Sequence, residues 1–275
     1  MRIDLEHMRK LHKIQLEMFG ELKRVMDELN ICYYFVHGSL LGAVTSHQFI
    51  EEDDDIDIAI FRQDYERLMK NGNNIVSSNF FIQDCKNDDF PLGFAKMRRN
   101  NTEFYQPVIE RCKCHKGIYI DIFPIDFVSE KENLLFQVKN KILQARINSR
   151  LNIPRGLKQK GLAIVSKVLY PSYQQAIKKR ETLYAMLDSS KYVSIFSGKP
   201  TEQRLLNCWF GEGVQIEFCG IMVNCPSNYD AYLTTIYGAK YREKNPAEHR
   251  MFDNGMVEIS ACYVDFGDGE VIGQK

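Results

Sequence analysis

The chain has 275 residues, 44% of them hydrophobic and 26% charged, and 36 basic residues balance 36 acidic ones. These are the proportions of an ordinary soluble globular protein; no run of about 18 apolar residues offers a membrane span, and the charged start MRIDLEHMRK has no apolar signal core. The zero net charge argues against nucleic acid as a partner, and eight cysteines spread over this length make no dense disulfide framework, so reduced thiols and a cytoplasmic location are expected.

In chain order, Leu5, Met8, Leu11, Met18, Leu22, Val25, Met26 and Leu29 recur close to helical period and predict a long amphipathic helix ending near Asn30. Residues 31–36 (ICYYFV) read as a buried strand entering a tight turn at His37-Gly38-Ser39. Residues 40–44 begin a short helix whose N-terminus faces that turn and favours an anion there. A second strand is expected over 56–61, with Asp64 placed to cap a helix through Met69. Further strands are expected over 79–84, 93–99 and 117–123, the last ending at Pro124, which cannot continue a central ladder. From about 130 to 187 the pattern is mainly helical, broken near Pro154-Arg155-Gly156 and at Pro171; a strand over 214–223 and a helix over 229–237 follow. The fold class is α+β: a small mixed β-sheet flanked by helices, with a helical lobe or insertion. Its parts are a core over 1–128, a basic helical segment over 129–190, and a mixed region over 191–275 that completes the same domain.

The chemistry concentrates in Asp53-Asp54-Asp55-Ile56-Asp57-Ile58. Strand alternation puts Asp55 and Asp57 on one face and turns Ile56 and Ile58 into the core. Two carboxylates on one face repel unless a cation sits between them, so the block predicts a divalent metal, Mg²⁺ or Mn²⁺. An exposed acidic loop would rarely interleave isoleucines at strand period. An EF-hand fails, because counting from Asp53 the sixth position is Ile58 rather than Gly and the twelfth is Asp64 rather than Glu. Gly38 and Ser39 would add backbone N–H donors, and together turn and carboxylates suit a metal-bound phosphate.

Asp121, alone in the apolar run Ile118-Tyr119-Ile120-Asp121-Ile122-Phe123, is the expected third ligand or general base, since a buried carboxylate needs a cation or hydrogen bonds. Asp126, just past Pro124, competes for that place and has a plainer role as a turn or cap residue. Lys96 and Arg98 share one strand face and are candidates for clamping a diphosphate. Cys112, Cys114 and His115, with Cys85, offer zinc-ligand types, but their spacing is not that of a usual zinc module. Between Gln137 and Arg180 there is no Asp or Glu, while basic and apolar residues interleave. Such a segment attracts lipid headgroups or a phosphate-bearing acceptor; a solvated helical face balancing the acidic site explains it equally well.

With HGSLLGAV at 37–44, DDDIDI at 53–58, GIYIDIFPID at 117–126 and PSNYDAYLTTIYG at 226–238, the chain resembles the LicD family of phosphotransferases, within the nucleotidyltransferase-fold superfamily. The resemblance implies a nucleotidyltransferase-like catalytic core over 1–128, with Gly38 and Ser39 in the substrate-binding turn and Asp55, Asp57 and Asp121 as catalytic, metal-holding carboxylates. It implies Mg²⁺-dependent transfer of a phospho-alcohol, typically phosphocholine from CDP-choline, to a sugar hydroxyl of a cell-surface glycan or its lipid-linked precursor. It also points to a bacterial cytoplasmic enzyme, peripheral at the inner membrane face, with residues 139–180 as the contact. Two departures stand out: Thr45 where the family usually has a basic residue, and Glu51-Glu52 where it usually has Pro-Trp. Two alternatives remain open, a nucleotidyltransferase moving a nucleoside monophosphate from an NTP, and a non-catalytic nucleotide- or glycan-binding relative.

Overall fold

Helix α1 (Leu5–Glu28) begins where the Asp4 carboxylate accepts from the backbone N–H groups of Glu6 and His7, and its apolar stripe of Met8, Leu11, Met18, Leu22, Val25 and Met26 is buried. In the computed structural model, which describes residues 3–128, 134–185, 191–195, 204–243 and 263–273, that stripe packs on the central sheet. The elements that follow are β1 (Tyr34–Phe35), α2 (His37–Thr45), β2 (Asp57–Phe61), α3 (Arg62–Asn71), β3 (Phe80–Gln83), β4 (Ala95–Arg99), β5 (Glu103–Tyr105) and β6 (Tyr119–Val128). Three helices come next, α4 (Leu134–Asn148), α5 (Leu157–Leu169) and α6 (Tyr173–Ala185). The chain then gives β7 (Tyr192–Ile195), β8 (Leu205–Leu206), β9 (Val214–Phe218), β10 (Ile221–Cys225), α7 (Tyr229–Tyr237), β11 (Tyr263–Asp265) and β12 (Val271–Gly273).

The main sheet runs β1-β2-β6-β4-β3, with β7 also pairing β6, and β8 pairing β7. Among the described residues only β2 and β6 pair in parallel, so the sheet is mixed and the fold is α+β. The β9–β10 hairpin packs on β1, and β11 extends β5 into a smaller sheet.

Four expectations are corrected. The strand expected to stop at Pro124 runs through it to Val128. The Asp121 N–H donates to Ile56 O on the β2 side, so by alternation the position of the missing Pro124 N–H faces the opposite edge. There β4 pairs only as far as Ile122 and β7 begins at Ile125; the proline falls in the gap between two partners, where no ladder bond is lost. The expected turn at Gly38-Ser39 is instead the first turn of α2, which starts at His37. The single strand expected over 214–223 is a hairpin, because Cys219 and Gly220 both take positive φ, 50° and 81°, the backbone of a tight two-residue turn. Asp64 sits inside the first turn of α3, paired with Arg67, rather than capping it.

Helices α4, α5 and α6 form an arm joined to the sheet through two small apolar clusters, one around Cys85, Leu143 and Ile177, the other around Val128, Phe136 and Tyr184. Its arginines hold it together. Arg146 Nε donates to Tyr170 O at 2.6 Å, Arg155 Nη2 to Leu151 O at 2.7 Å, Arg180 Nε to Asn140 Oδ1 at 2.9 Å, and Arg150 Nη2 to the Asp89 carboxylate at 2.5 Å. Among the described residues no helix is long and apolar enough to cross a membrane.

Candidate active site

One row of side chains crosses the sheet. Asp57 on β2 is in register with Asp121 on β6, Asp121 with Lys96 on β4, and Lys96 with Gln83 on β3. Residues in register share a face, so the row is polar on one side, while Ile58, Ile120, Ile122 and Met97 are buried on the other. Asp55, two residues before Asp57, joins the row from the loop that enters β2. One carboxylate oxygen from each of Asp55, Asp57 and Asp121 lies within 4.8 Å of the others. A second grouping of the same kind joins Asp55 to Asp53 and Asp54.

These carboxylates are held against their own charge. Burial first, and then the neighbouring Asp57, Asp54, Asp53 and Asp121 carboxylates, push Asp55 well above the usual carboxylate range. Burial and Asp121 do the same to Asp57. Burial raises Asp121 too, opposed by the Lys96 ammonium that pairs with it. Lys96 is itself buried, with Nζ 3.4 Å from the centroid of the Tyr119 ring. Three converging oxygen ligands with one ammonium among them leave an excess of negative charge, and that donor set fits a hard divalent cation.

The backbone around the carboxylates is fixed from two sides. On α1, His12 Nε2 meets Asp53 O at 2.7 Å and Gln15 Nε2 donates to Asp54 O at 2.7 Å. Gln15 is fully buried on the apolar stripe of α1, and that misplaced amide is the signal in the sequence that could have found it. On α2, Ser39 Oγ accepts from the Asp57 N–H at 2.8 Å. A Cβ built at Gly38 would stand 2.1 Å from Asp53 Oδ2, so glycine is needed here for close approach. His37 takes φ of 48°, a left-handed conformation of the kind that gathers at functional sites. Its Nδ1 lies 3.4 Å from the Tyr232 hydroxyl of α7, and its ring meets Phe123 edge-on at 5.4 Å. Burial holds its pKa down to about 4, so the ring is neutral near pH 7. Sequence reasoning missed Tyr232: a tyrosine within an apolar helix carries no mark of its own.

The remaining candidates fall elsewhere. Arg98 lies fully buried behind the row, its Nε donating to Gln83 Oε1 and its Nη1 to Gly117 O, both at 2.8 Å. Its charge helps Lys96 hold the Asp121 pKa down against burial, but its hydrogen bonds go to Gln83 and Gly117, which leaves Lys96 as the cation paired with a carboxylate of the row. Asp126 accepts a two-pronged bond from Arg62, at 2.7 and 2.8 Å, so it braces β6 against α3 while Asp121 supplies the third carboxylate. Among the described residues no cysteine joins a metal-ligand grouping. Cys112 packs with Ile109 and Leu151, Cys85 with Leu143 and Ile177, and His115 Nε2 pairs with Asn100 Oδ1 at 2.9 Å.

Residues 30–153 match a family model described as LicD/FKTN/FKRP, nucleotidyltransferase domain. That stretch contains α2, the acidic loop, β2, β3, β4 and the whole of β6, and therefore every member of the row. Over that stretch the chain is similar to the LicD family, whose members are in general transferases. No curated protein matches it.

Proposed function

We propose that the chain transfers a phospho-alcohol from a CDP-linked donor, CDP-choline first among the candidates, to a sugar hydroxyl of a cell-surface glycan or its lipid-linked precursor. The observation that carries this reading is the convergence of Asp55, Asp57 and Asp121, with oxygens within 4.8 Å of one another at the head of a helix that has no side-chain cap. Asp55, Asp57 and Asp121 would hold Mg²⁺ or Mn²⁺. When bound, such a cation neutralises phosphate charge and eases departure of the nucleotide. The start of α2, at Gly38 and Ser39, directs backbone N–H groups towards a phosphate. Asp121, tethered by Lys96, is assigned the proton of the attacking hydroxyl. His37 and Tyr232 hold the head of α2 in its left-handed entry and supply no charge.

The nucleotide product tests the reading. Incubation with CDP-choline, CDP-ribitol, CDP-glycerol and CTP in the presence of Mg²⁺ should release CMP from one CDP-alcohol. Pyrophosphate from CTP instead would indicate a nucleotidyltransferase, and undiminished CMP release by Asp57→Asn would contradict the assignment of the carboxylates.

A further inference from the structure

Helix α5 is built inside out. Its buried face is small and weakly polar, Ala163 at 9% exposure and Ser166 at 0%, while Leu157 is 88% exposed, Val168 75%, Ile164 65%, Leu169 56% and Val165 49%. At about 100° per residue, Leu157, Ile164 and Val168 form one stripe pointing away from the face that packs on the arm. The same geometry places Lys160 and Lys167 along one flank of that stripe and Lys158 on the other, and all three are exposed. Soluble helices turn such a stripe towards a core; here the core side holds alanine, serine and a half-buried Leu162.

We propose that α5 is an interfacial helix that docks the protein on an anionic lipid surface, its aliphatic stripe entering the headgroup boundary and its lysines meeting lipid phosphates on either side. Charge selects this occupant. Residues 137–180 contain no Asp or Glu, so a second copy meeting this face with its own would set lysine against lysine. The arginines of the arm are spent on backbone carbonyls and on Asp89 and Asn140, whereas the lysines of α5 face outward. Aliphatic side chains between lysines suit a lipid boundary, where the long stems can lie along acyl chains with their ammonium groups in the headgroup layer. The inference extends the acceptor side of the transferase reading but stands on this face alone.

Co-sedimentation of the full chain with phosphatidylglycerol–phosphatidylcholine vesicles, and with vesicles of phosphatidylcholine alone, tests it without donor or metal. Binding to the anionic vesicles only is expected. The triple variant Lys158→Gln/Lys160→Gln/Lys167→Gln should lower the bound-to-free ratio on the order of a hundredfold, and Ile164→Ser/Val168→Ser should lower it as well, with unchanged thermal melts. Wild-type protein that ignores anionic vesicles, or binding that both variants retain, would overturn the proposal. So would a dimer, seen by sedimentation velocity, that dissociates in Ile164→Ser/Val168→Ser, because the stripe would then belong to a second copy. CMP release is read separately, so either reading can fail while the other stands.

Discussion

The sheet row and helix α5 break the ordinary rule of burial in opposite directions. In the row, Asp121 and Lys96 are buried with Asp55 and Asp57 half-buried beside them; on α5, leucine, isoleucine and valine face solvent while serine is buried. Charged groups are seldom buried unless paired, and large apolar residues are seldom exposed in contiguous stripes. Each inversion is costly by itself, and the two have separate proposed answers: a cation would offset the row, and an anionic lipid surface would cover the helix. Places where local rules fail while the surrounding fold obeys them are where function is expected.

Several substitutions sharpen this contrast. The largest stability effect is expected in the row. Lys96→Met leaves Asp121 buried without its ammonium, and denaturant unfolding should show a loss of about 3–5 kcal/mol. Asp57→Asn has the reverse sign for stability: it removes one charge among like charges, so the melting temperature of the metal-free protein should rise. The same change should lower transfer activity by about 10²–10³-fold, the scale of losing one electrostatic contact in a transition state. If Asp57→Asn melts lower than the parent, the carboxylates are not the repelling group described here.

The pH dependence isolates His37. Burial lowers its pKa from 6.5 to about 4, so between those values the unfolded chain binds a proton that the folded chain refuses. Stability from this residue is present above pH 6.5 and is lost as pH falls to about 4, by about 3 kcal/mol at most. The raised Asp55 and Asp57 contribute with the opposite sign, since the folded protein takes up their protons at higher pH than the unfolded chain does. The informative quantity is therefore the difference between the parent and His37→Asn, a side chain that tolerates the left-handed backbone. That difference should shrink steadily as the pH falls through the window.

The arm should respond least, and in a pattern that marks its inversion. Ile164→Ser on the exposed stripe should change stability by no more than about 0.5 kcal/mol. Ala163→Leu on the buried side should destabilise by about 1–3 kcal/mol through overpacking. An exposed isoleucine that matters more than a buried alanine would mean the helix packs the other way round.

The sequence carried the site further than it carried the framework around it. Alternating Asp and Ile over 55–58 sets Asp55 beside Asp57, as period-two alternation of an extended backbone requires. Asp121 stood out as a lone carboxylate in an apolar run, and the helix over 229–237 coincides with α7. What stayed hidden depends on which strand lies beside which. Pro124 reads as a strand end until β4 and β7 are seen to leave a gap opposite it. Lys96 and Arg98 read as equivalent until cross-strand register sets one beside Asp121 and burial sets the other behind Gln83. The basic stretch reads as one uniform surface, yet its arginines tie helices together and its α5 lysines face outward. Spacing along a chain cannot separate those roles, because both types sit at helical period.

Calorimetric titration with CDP-choline, CDP-ribitol and CDP-glycerol, with and without Mg²⁺, asks whether the carboxylates hold the donor through a metal. One CDP-alcohol is expected to bind only with Mg²⁺, and Asp57→Asn to abolish that binding. Binding of equal strength without Mg²⁺ and in Asp57→Asn would contradict this, because the carboxylates would then have no part in holding the donor.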